Sequence, residues 1–325
     1  MKTIQDFFAQ WPLLWTLVET ACMLIPLGAL LAYSGVCFVS ALAKILSQTR
    51  GRTSFDKCAR QLASLGLVLG WILLVSARIW LFLTRAETGT TISVWLMEIC
   101  WFLLAASVLA ASLYHALWKW KQTHPAVFIF FGLSSGLLAC AGLLGTLMTA
   151  RIGVLGLPPG VSTRSLEETP ALFLKLFAVA EWNSPFWNML YYTPALILVF
   201  SAGTGALWIL ARRRYDDFGR DHYNSMIAWC SGLARNAWGL LWILLLVFNI
   251  FQLQLALRAA GDDILMELTE LATVAAYLLF WSTPALLWAF VKRNAVPIRH
   301  KFVLLAALLL AGTFLLPYCL EICAV

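Results

Sequence analysis

Residues 125–150 read PAVFIFFGLSSGLLACAGLLGTLMTA, Pro125 to Ala150, and contain no charged side chain. As an α-helix rising about 1.5 Å per residue, such a run is longer than the roughly 30 Å hydrocarbon layer of a bilayer. It shows no alternation of apolar and polar residues, so it does not suit a barrel strand. In lipid an isolated segment must satisfy its own backbone N–H and C=O groups, and only a helix does so. This stretch therefore predicts a transmembrane helix.

The same reading extends in both directions. Comparable apolar segments, rich in Leu, Ala, Gly and Trp, lie near 12–46, 59–84, 92–118, 125–150, 186–211, 225–257, 264–291 and 301–323. The whole chain is 62% hydrophobic and 12% charged, with mean hydropathy +0.83. A soluble domain carries roughly 25% charged residues. The expected fold is thus an all-α, polytopic helical bundle of about eight transmembrane helices in a single integral membrane domain, 1–325. No length remains for a separate soluble domain. Met1–Trp11 have no small-residue cleavage site, and the first apolar run outlasts a signal-peptide core, so the N-terminus is expected to be retained. Trp80, Trp95, Trp118, Trp120, Tyr191 and Tyr192 mark segment ends and suit an interfacial belt.

The net charge of +7 would suit nucleic acid if it were clustered, but it is distributed by topology. The first connection holds Lys44, Arg50, Arg52, Lys57 and Arg60, and the third Lys119 and Lys121. The fifth holds Arg212, Arg213, Arg214 and Arg220, and the seventh Lys292, Arg293, Arg299 and Lys301. The N-terminus and the other connections hold only Lys2, Arg85, Arg151, Arg164, Lys175 and Arg258. The positive-inside rule puts the odd connections in the cytoplasm and both termini outside, in a bacterial-type cytoplasmic (inner) membrane. The long loop 151–185, with Pro158-Pro159-Gly160 and a mildly amphipathic Leu166–Val179, then faces outward. A four-plus-four helix duplication is compatible with this plan, although no sequence repeat marks it.

Ionisable residues within spans are costly and point to function. Glu19, Arg78 and Glu98 are expected at one level of the outer leaflet, on helices 1, 2 and 3. Glu181, Glu267, Glu270 and Glu321 add carboxylates at the outer boundary, with Arg151 and Arg258 near them. The inner ends are expected to show nothing comparable beyond basic loops. Two readings of the outer cluster stand side by side. The groups neutralise one another and pin the helices, or they form a polar pocket for a lipid-phase ligand such as a quinone, with Glu19 and Glu98 exchanging protons. Arg235, deep in helix 6, is expected to snorkel or bond backbone carbonyls. Asn249, Gln252 and Gln254 are expected as interhelical glue.

The remaining chemistry is sparse. His115, His124, His222 and His300 all fall at the inner ends of helices, so no haem and no metal site is expected. Eight cysteines stand singly, without a CxxC, and read as small hydrophobes. No phosphate-cradling loop and no nucleophile with a base is present.

Three stretches resemble the membrane-anchor subunit of bacterial dimethyl sulfoxide reductases, within the wider polysulfide-reductase membrane-subunit group. They are Trp95-Leu96-Met97-Glu98-Ile99, the run GLLGTLMTARIGVLGLPPG through Met148-Thr149-Ala150-Arg151, and EWNSPFWNMLYYTPALILVFSAGTGAL beginning at Glu181. The resemblance implies a haem-free, quinol-oxidising anchor of a respiratory oxidoreductase complex, working in anaerobic electron transport. Menaquinol would be oxidised near the outer face by Glu19 and Glu98 as proton acceptors, with Arg78, Arg151 and Glu181 binding it. Electrons would pass to a ferredoxin-like iron–sulfur subunit and then to a molybdopterin catalytic subunit. One departure stands out: where that family commonly has a histidine, this chain reads Ser76-Ala77-Arg78-Ile79-Trp80. Arginine donates hydrogen bonds but accepts no proton at neutral pH. A weaker similarity, to cytochrome bd oxidase subunit I, lacks the haem ligands. From a different class, a secondary transporter or permease binding its substrate at Glu19, Arg78 and Glu98 remains the alternative.

Overall fold

A computed structural model describes residues 12–88, 92–118, 125–155, 185–260, 264–316 and 319. The described residues form α1 (Pro12–Arg50), α2 (Thr53–Thr88), α3 (Ile92–Ala116), α4 (Pro125–Leu155), α5 (Pro185–Arg212), α6 (Arg220–Ala260), α7 (Ile264–Arg293) and α8 (Lys301–Thr313). A 3-10 turn, Pro297–His300, leads into α8. The chain is a polytopic helical membrane bundle: seven of these helices are long and apolar enough to cross a bilayer. The described part of the eighth is shorter.

Proline and glycine punctuate the helices as their chemistry requires. α1, α4 and α5 open on Pro12, Pro125 and Pro185, where the missing N–H costs nothing. Arg50 is followed by Gly51 at φ 63°, the left-handed conformation that stops α1 and turns the chain into α2 within two residues. Gly219, at φ 83°, takes the same left-handed conformation immediately before α6.

Two helices begin earlier than hydropathy predicts. α2 starts at Thr53 and α6 at Arg220, because the polar first turns still bury Phe55, Cys58, His222 and Tyr223. Phe55 packs edge-on against Trp229, with ring centroids 5.5 Å apart. Two residues expected in the interfacial belt are instead in the interior. Tyr192 lies against Phe314, and Trp118 lies in an aromatic group with Tyr114 and Phe128. Trp80, Trp95 and Tyr191 are exposed, as an interfacial belt requires. Trp120 lies outside the described residues.

The helices pack as two four-membered rings. α1 touches α2 and α4, and α3 closes the circuit between those two. α5 touches α6 and α8, and α7 closes the second circuit. α1 and α5 form the main seam between the rings, with α2 also against α5. Close approach at this seam needs small residues. A Cβ on Gly35 would sit 2.6 Å from Ser201 Oγ and 2.7 Å from the Ile197 carbonyl.

Each ring fills its centre differently. In the first, Tyr33 and Ser107 share a 2.7 Å hydrogen bond across the diagonal from α1 to α3, and Ser107 donates to the Ser135 carbonyl of α4 at 2.8 Å. Ser40 donates to the Ala59 carbonyl at 2.7 Å and meets Tyr114 at 3.1 Å. In the second, Trp238 donates to the Trp281 carbonyl at 2.6 Å and Trp242 to that of Leu278 at 3.0 Å, tying α6 to α7. Lipid offers no hydrophobic gain for helix association, so packing and these interhelical bonds hold the rings. Large apolar side chains accordingly face outward on every helix, from Ile25 to Phe302.

Candidate functional site

Because adjacent helices run antiparallel, the four odd connections with most of the cations share one end of the bundle, the basic end. The candidate site lies toward the opposite end, between α2 and α3. Trp101 of α3 donates its indole N–H to the Leu74 carbonyl of α2 at 3.0 Å, fixing the register of the two helices. One turn farther out, that register places Arg78 of α2 beside Glu98 of α3. The Arg78 guanidinium lies over the Trp101 ring, 5.0 Å from its centroid, a cation–π placement. Its Nη1 stands 3.8 Å from Glu98 Oε1. Arg85 Nη1 reaches the same oxygen at 3.2 Å. Glu98 is 27% exposed, and the two arginines are 51% and 53% exposed.

Among the described residues, one carboxylate thus sits between two guanidinium groups, which leaves the cluster with an excess of positive charge. Its flank is apolar. Val75 and Phe82 lie at helical spacing from Arg78, Trp95 and Phe102 at helical spacing from Glu98, and all four are exposed. A planar ligand with oxygens at its edge would meet guanidinium donors, a carboxylate and the exposed rings of Trp95 and Phe102 there.

Of the expected cluster, the structure brings Arg78 and Glu98 together. Glu19 lies within α1, but its side chain is outside the described residues, as is that of Arg151 in the last turn of α4. Glu181 and Glu321 lie outside the described residues altogether, and the side chains of Glu267 and Arg258 are likewise outside. Glu270 is half-buried on α7. Arg85, which hydropathy puts just beyond the end of helix 2, lies within α2 and belongs to the cluster. It follows Arg78 by seven residues, two turns along one face of α2, and that spacing was the available signal.

Other expectations need correction. Asn249 donates to the Leu245 carbonyl of its own helix at 2.8 Å, and Gln252 and Gln254 are exposed, so none of the three is seen bridging helices. Arg235 is half-buried, and its hydrogen bonds go to a neighbouring side chain. Its Nε and Nη2 both donate to Asn236 Oδ1, at 3.1 and 2.7 Å. The cysteines agree with their reading as single small hydrophobes: those described, Cys22, Cys37, Cys58, Cys100, Cys140, Cys230 and Cys319, are free thiols, and all but Cys22 and Cys140 are buried.

The basic end also holds more than basic loops. Lys44 pairs with Asp56 at 2.5 Å. Asp216, in the turn after α5, receives Arg212 through two bonds of 2.9 and 3.0 Å, and Gln61 Nε2 at 2.9 Å. Gln61 is buried on α2, where its Oε1 meets His222 Nε2 at 3.2 Å and its backbone carbonyl accepts Trp208 Nε1 at 2.9 Å. Tyr223 donates to the Asp216 carbonyl. This clasp fastens the first ring to the second. Burial pushes the Asp216 carboxyl up, but bonds from Arg212 and Gln61, with the charges of Arg212 and Arg60, outweigh it. The carboxyl therefore sits below its ordinary range.

In comparisons with protein-family models, characterised proteins and solved structures, the chain matches none.

Proposed function

We propose that this chain is a haem-free, quinol-oxidising membrane anchor of a bacterial respiratory oxidoreductase, with the quinol entering from the lipid phase between α2 and α3. The observation that carries the reading is the Arg78–Glu98–Arg85 cluster on an otherwise apolar flank, with Trp101 beneath Arg78. Quinol oxidation releases two electrons and two protons, so a site for it needs donors to hold the oxygens and a base to receive protons. The half-exposed guanidinium groups suit the oxygens of the head group, and the exposed Trp95 and Phe102 side chains on the same flank suit its ring. Glu98 is the described carboxylate in position to accept a proton, and arginine cannot take that part. Glu19 is the second acceptor on this reading, with Arg151 and Glu181 on the same side of the membrane. The iron–sulfur and molybdopterin partners and menaquinol as the particular quinol rest on the sequence resemblance alone, and the inner-membrane location on the hydropathy and the distribution of cations.

A transporter using the same residues is the competing reading. It requires a passage between the two ends of the bundle, whereas the described cluster lies on the bundle's flank. The test uses Glu98→Gln, Glu19→Gln and Arg78→Gln in the chain purified with its co-expressed partners. Quinol oxidation and quinone-analogue binding should fall at least tenfold with assembly intact, and the pH profile of Glu98→Gln should shift. Wild-type oxidation and binding in all three variants would leave the cluster a structural ion pair.

A further inference from the structure

The second ring carries a charge imbalance that the proposed quinol site does not use. Between Asp221 and Asp262, and again between Glu270 and Glu321, the sequence has no carboxylate. α5 and α8, which pack against α6 and α7, contain none either. Arg235, Lys292 and Arg293 therefore stand near the basic end of α6 and α7 with no acid on any helix of their ring at that level. Among the described residues, Arg235 has only the Asn236 carbonyl oxygen for a partner, and its Nη1 has none.

Where these cations point is informative. Asn236 opens an exposed stripe on α6 that continues through Leu240, Ile243 and Val247 at helical spacing, so it holds the Arg235 guanidinium at the lipid-facing surface. Lys292, in the last turn of α7, lies along Gly232 of α6. A Cβ there would meet its Cδ, Cε and Nζ at 3.2, 3.3 and 3.4 Å. The glycine lets the lysine lie in the groove between the helices, one turn of α6 from Arg235. On the adjoining face of α7, an open surface depression of about 430 Å³ is lined by Leu286, Ala289, Phe290, Arg293, Asn294 and Ala295. Its apolar residues lie toward the membrane interior, and Arg293 and Asn294 lie at the end where α7 stops.

An apolar slot ending in cations, at the boundary of the hydrocarbon, has the layout of an amphiphile with a negative head. We propose that the basic end of α7 seats an anionic phospholipid. Arg293 and Lys292 hold the phosphate, Arg235 lies one turn inward, and an acyl chain lies against Leu286, Ala289 and Phe290. A membrane phosphate meets the need of uncompensated cations near lipid, and basic recesses between transmembrane helices bind such head groups.

The test is native mass spectrometry of the full chain, delipidated in detergent and titrated with phosphatidylglycerol or phosphatidylcholine. Each cation near the surface contributes on the order of a fivefold preference for anionic lipid. Wild-type protein should therefore retain phosphatidylglycerol well over tenfold better than phosphatidylcholine. Arg293→Gln should lose about fivefold, and Arg235→Gln with Lys292→Gln about 25-fold. Arg293→Lys should keep most of the preference, which separates lost charge from lost fold. Arg213→Gln with Arg214→Gln, exposed on the same end, should change nothing. Equal losses in that control would reduce the effect to general surface charge and overturn the seat. Displacement of the lipid by millimolar glycerol phosphate would also overturn it, by showing a site for free phosphate.

Discussion

Replacing Gln61 with leucine removes one buried side chain that joins the two rings from both of its ends. Its Nε2 donates to Asp216, whose side chain is only 16% exposed, so the bond is little screened. A hydrogen bond to a charged group contributes about 1.5–3 kcal/mol. Its Oε1 is the partner of His222, which is buried and would be left with an unsatisfied ring nitrogen at a cost of about 1–3 kcal/mol. Leucine keeps the volume, so packing changes little, and the net destabilisation should be roughly 3 kcal/mol. Asp216→Asn keeps the shape and removes the charge, losing part of the same bond together with the half-exposed Arg212 pair. The two changes should therefore be strongly non-additive. In reversible unfolding by SDS in mixed micelles, followed by tryptophan fluorescence, the double-mutant cycle should give a coupling of about 1.5 kcal/mol or more. Additivity within about 0.5 kcal/mol would refute the idea that the clasp acts as a unit.

Asp216 also sets a pH dependence. Its carboxyl is held below the ordinary value, so its contribution is complete above roughly pH 4 and is lost as pH falls through the lower folded value. Stability in micelles should be flat in this respect from pH 8 to 5 and decline in acid, with a smaller decline in Gln61→Leu. Gly35→Ala forces a methyl against the Ile197 backbone and should cost about 1–3 kcal/mol or more in the same unfolding assay, because a backbone atom cannot turn aside. Gly239→Ala meets open space and should be neutral or up to about 1 kcal/mol more stable. Ser107→Ala, which breaks the bonds to Tyr33 and the Ser135 carbonyl, should cost about 0.6–1.7 kcal/mol. Cysteines placed at Arg52, Arg213 and Arg299 should be labelled only from the cytoplasm, and one at Ser165 only from outside. The opposite pattern would invert the orientation.

The helices were legible because apolar length alone reports them, and most boundaries agree within a few residues. The starts of α2 and α6 were not, since Thr53–Cys58 and Arg220–Tyr223 are polar in sequence yet bury Phe55, Cys58, His222 and Tyr223 through tertiary packing. Arg78 and Glu98 were legible as charges within spans, where few explanations are available. The clasp was hidden for the opposite reason. Gln61, Asp216 and His222 sit where polar residues are ordinary, and Gln61 is 155 positions from the aspartate it bonds. Nothing local distinguishes Asp216 from a solvated loop acid. The grouping of four helices with four was not legible, since ring closure depends on α1 meeting α4 and no single-helix pattern encodes that.

The ring arrangement has a consequence for how the protein is made. α1 finds both of its ring neighbours, α2 and α4, among the first 155 residues, so the first ring can close before α5 is synthesised. α5 would then meet a closed wall, with Gly35 leaving room for Ile197 and Ser201. Assembly in this order leaves few wrong partners for a late helix. It also makes the boundary between Leu155 and Pro185 a natural place to divide the gene. Two separately translated halves, each able to close its own circle, should find one another in the membrane through the α1–α5 seam and the clasp at Gln61.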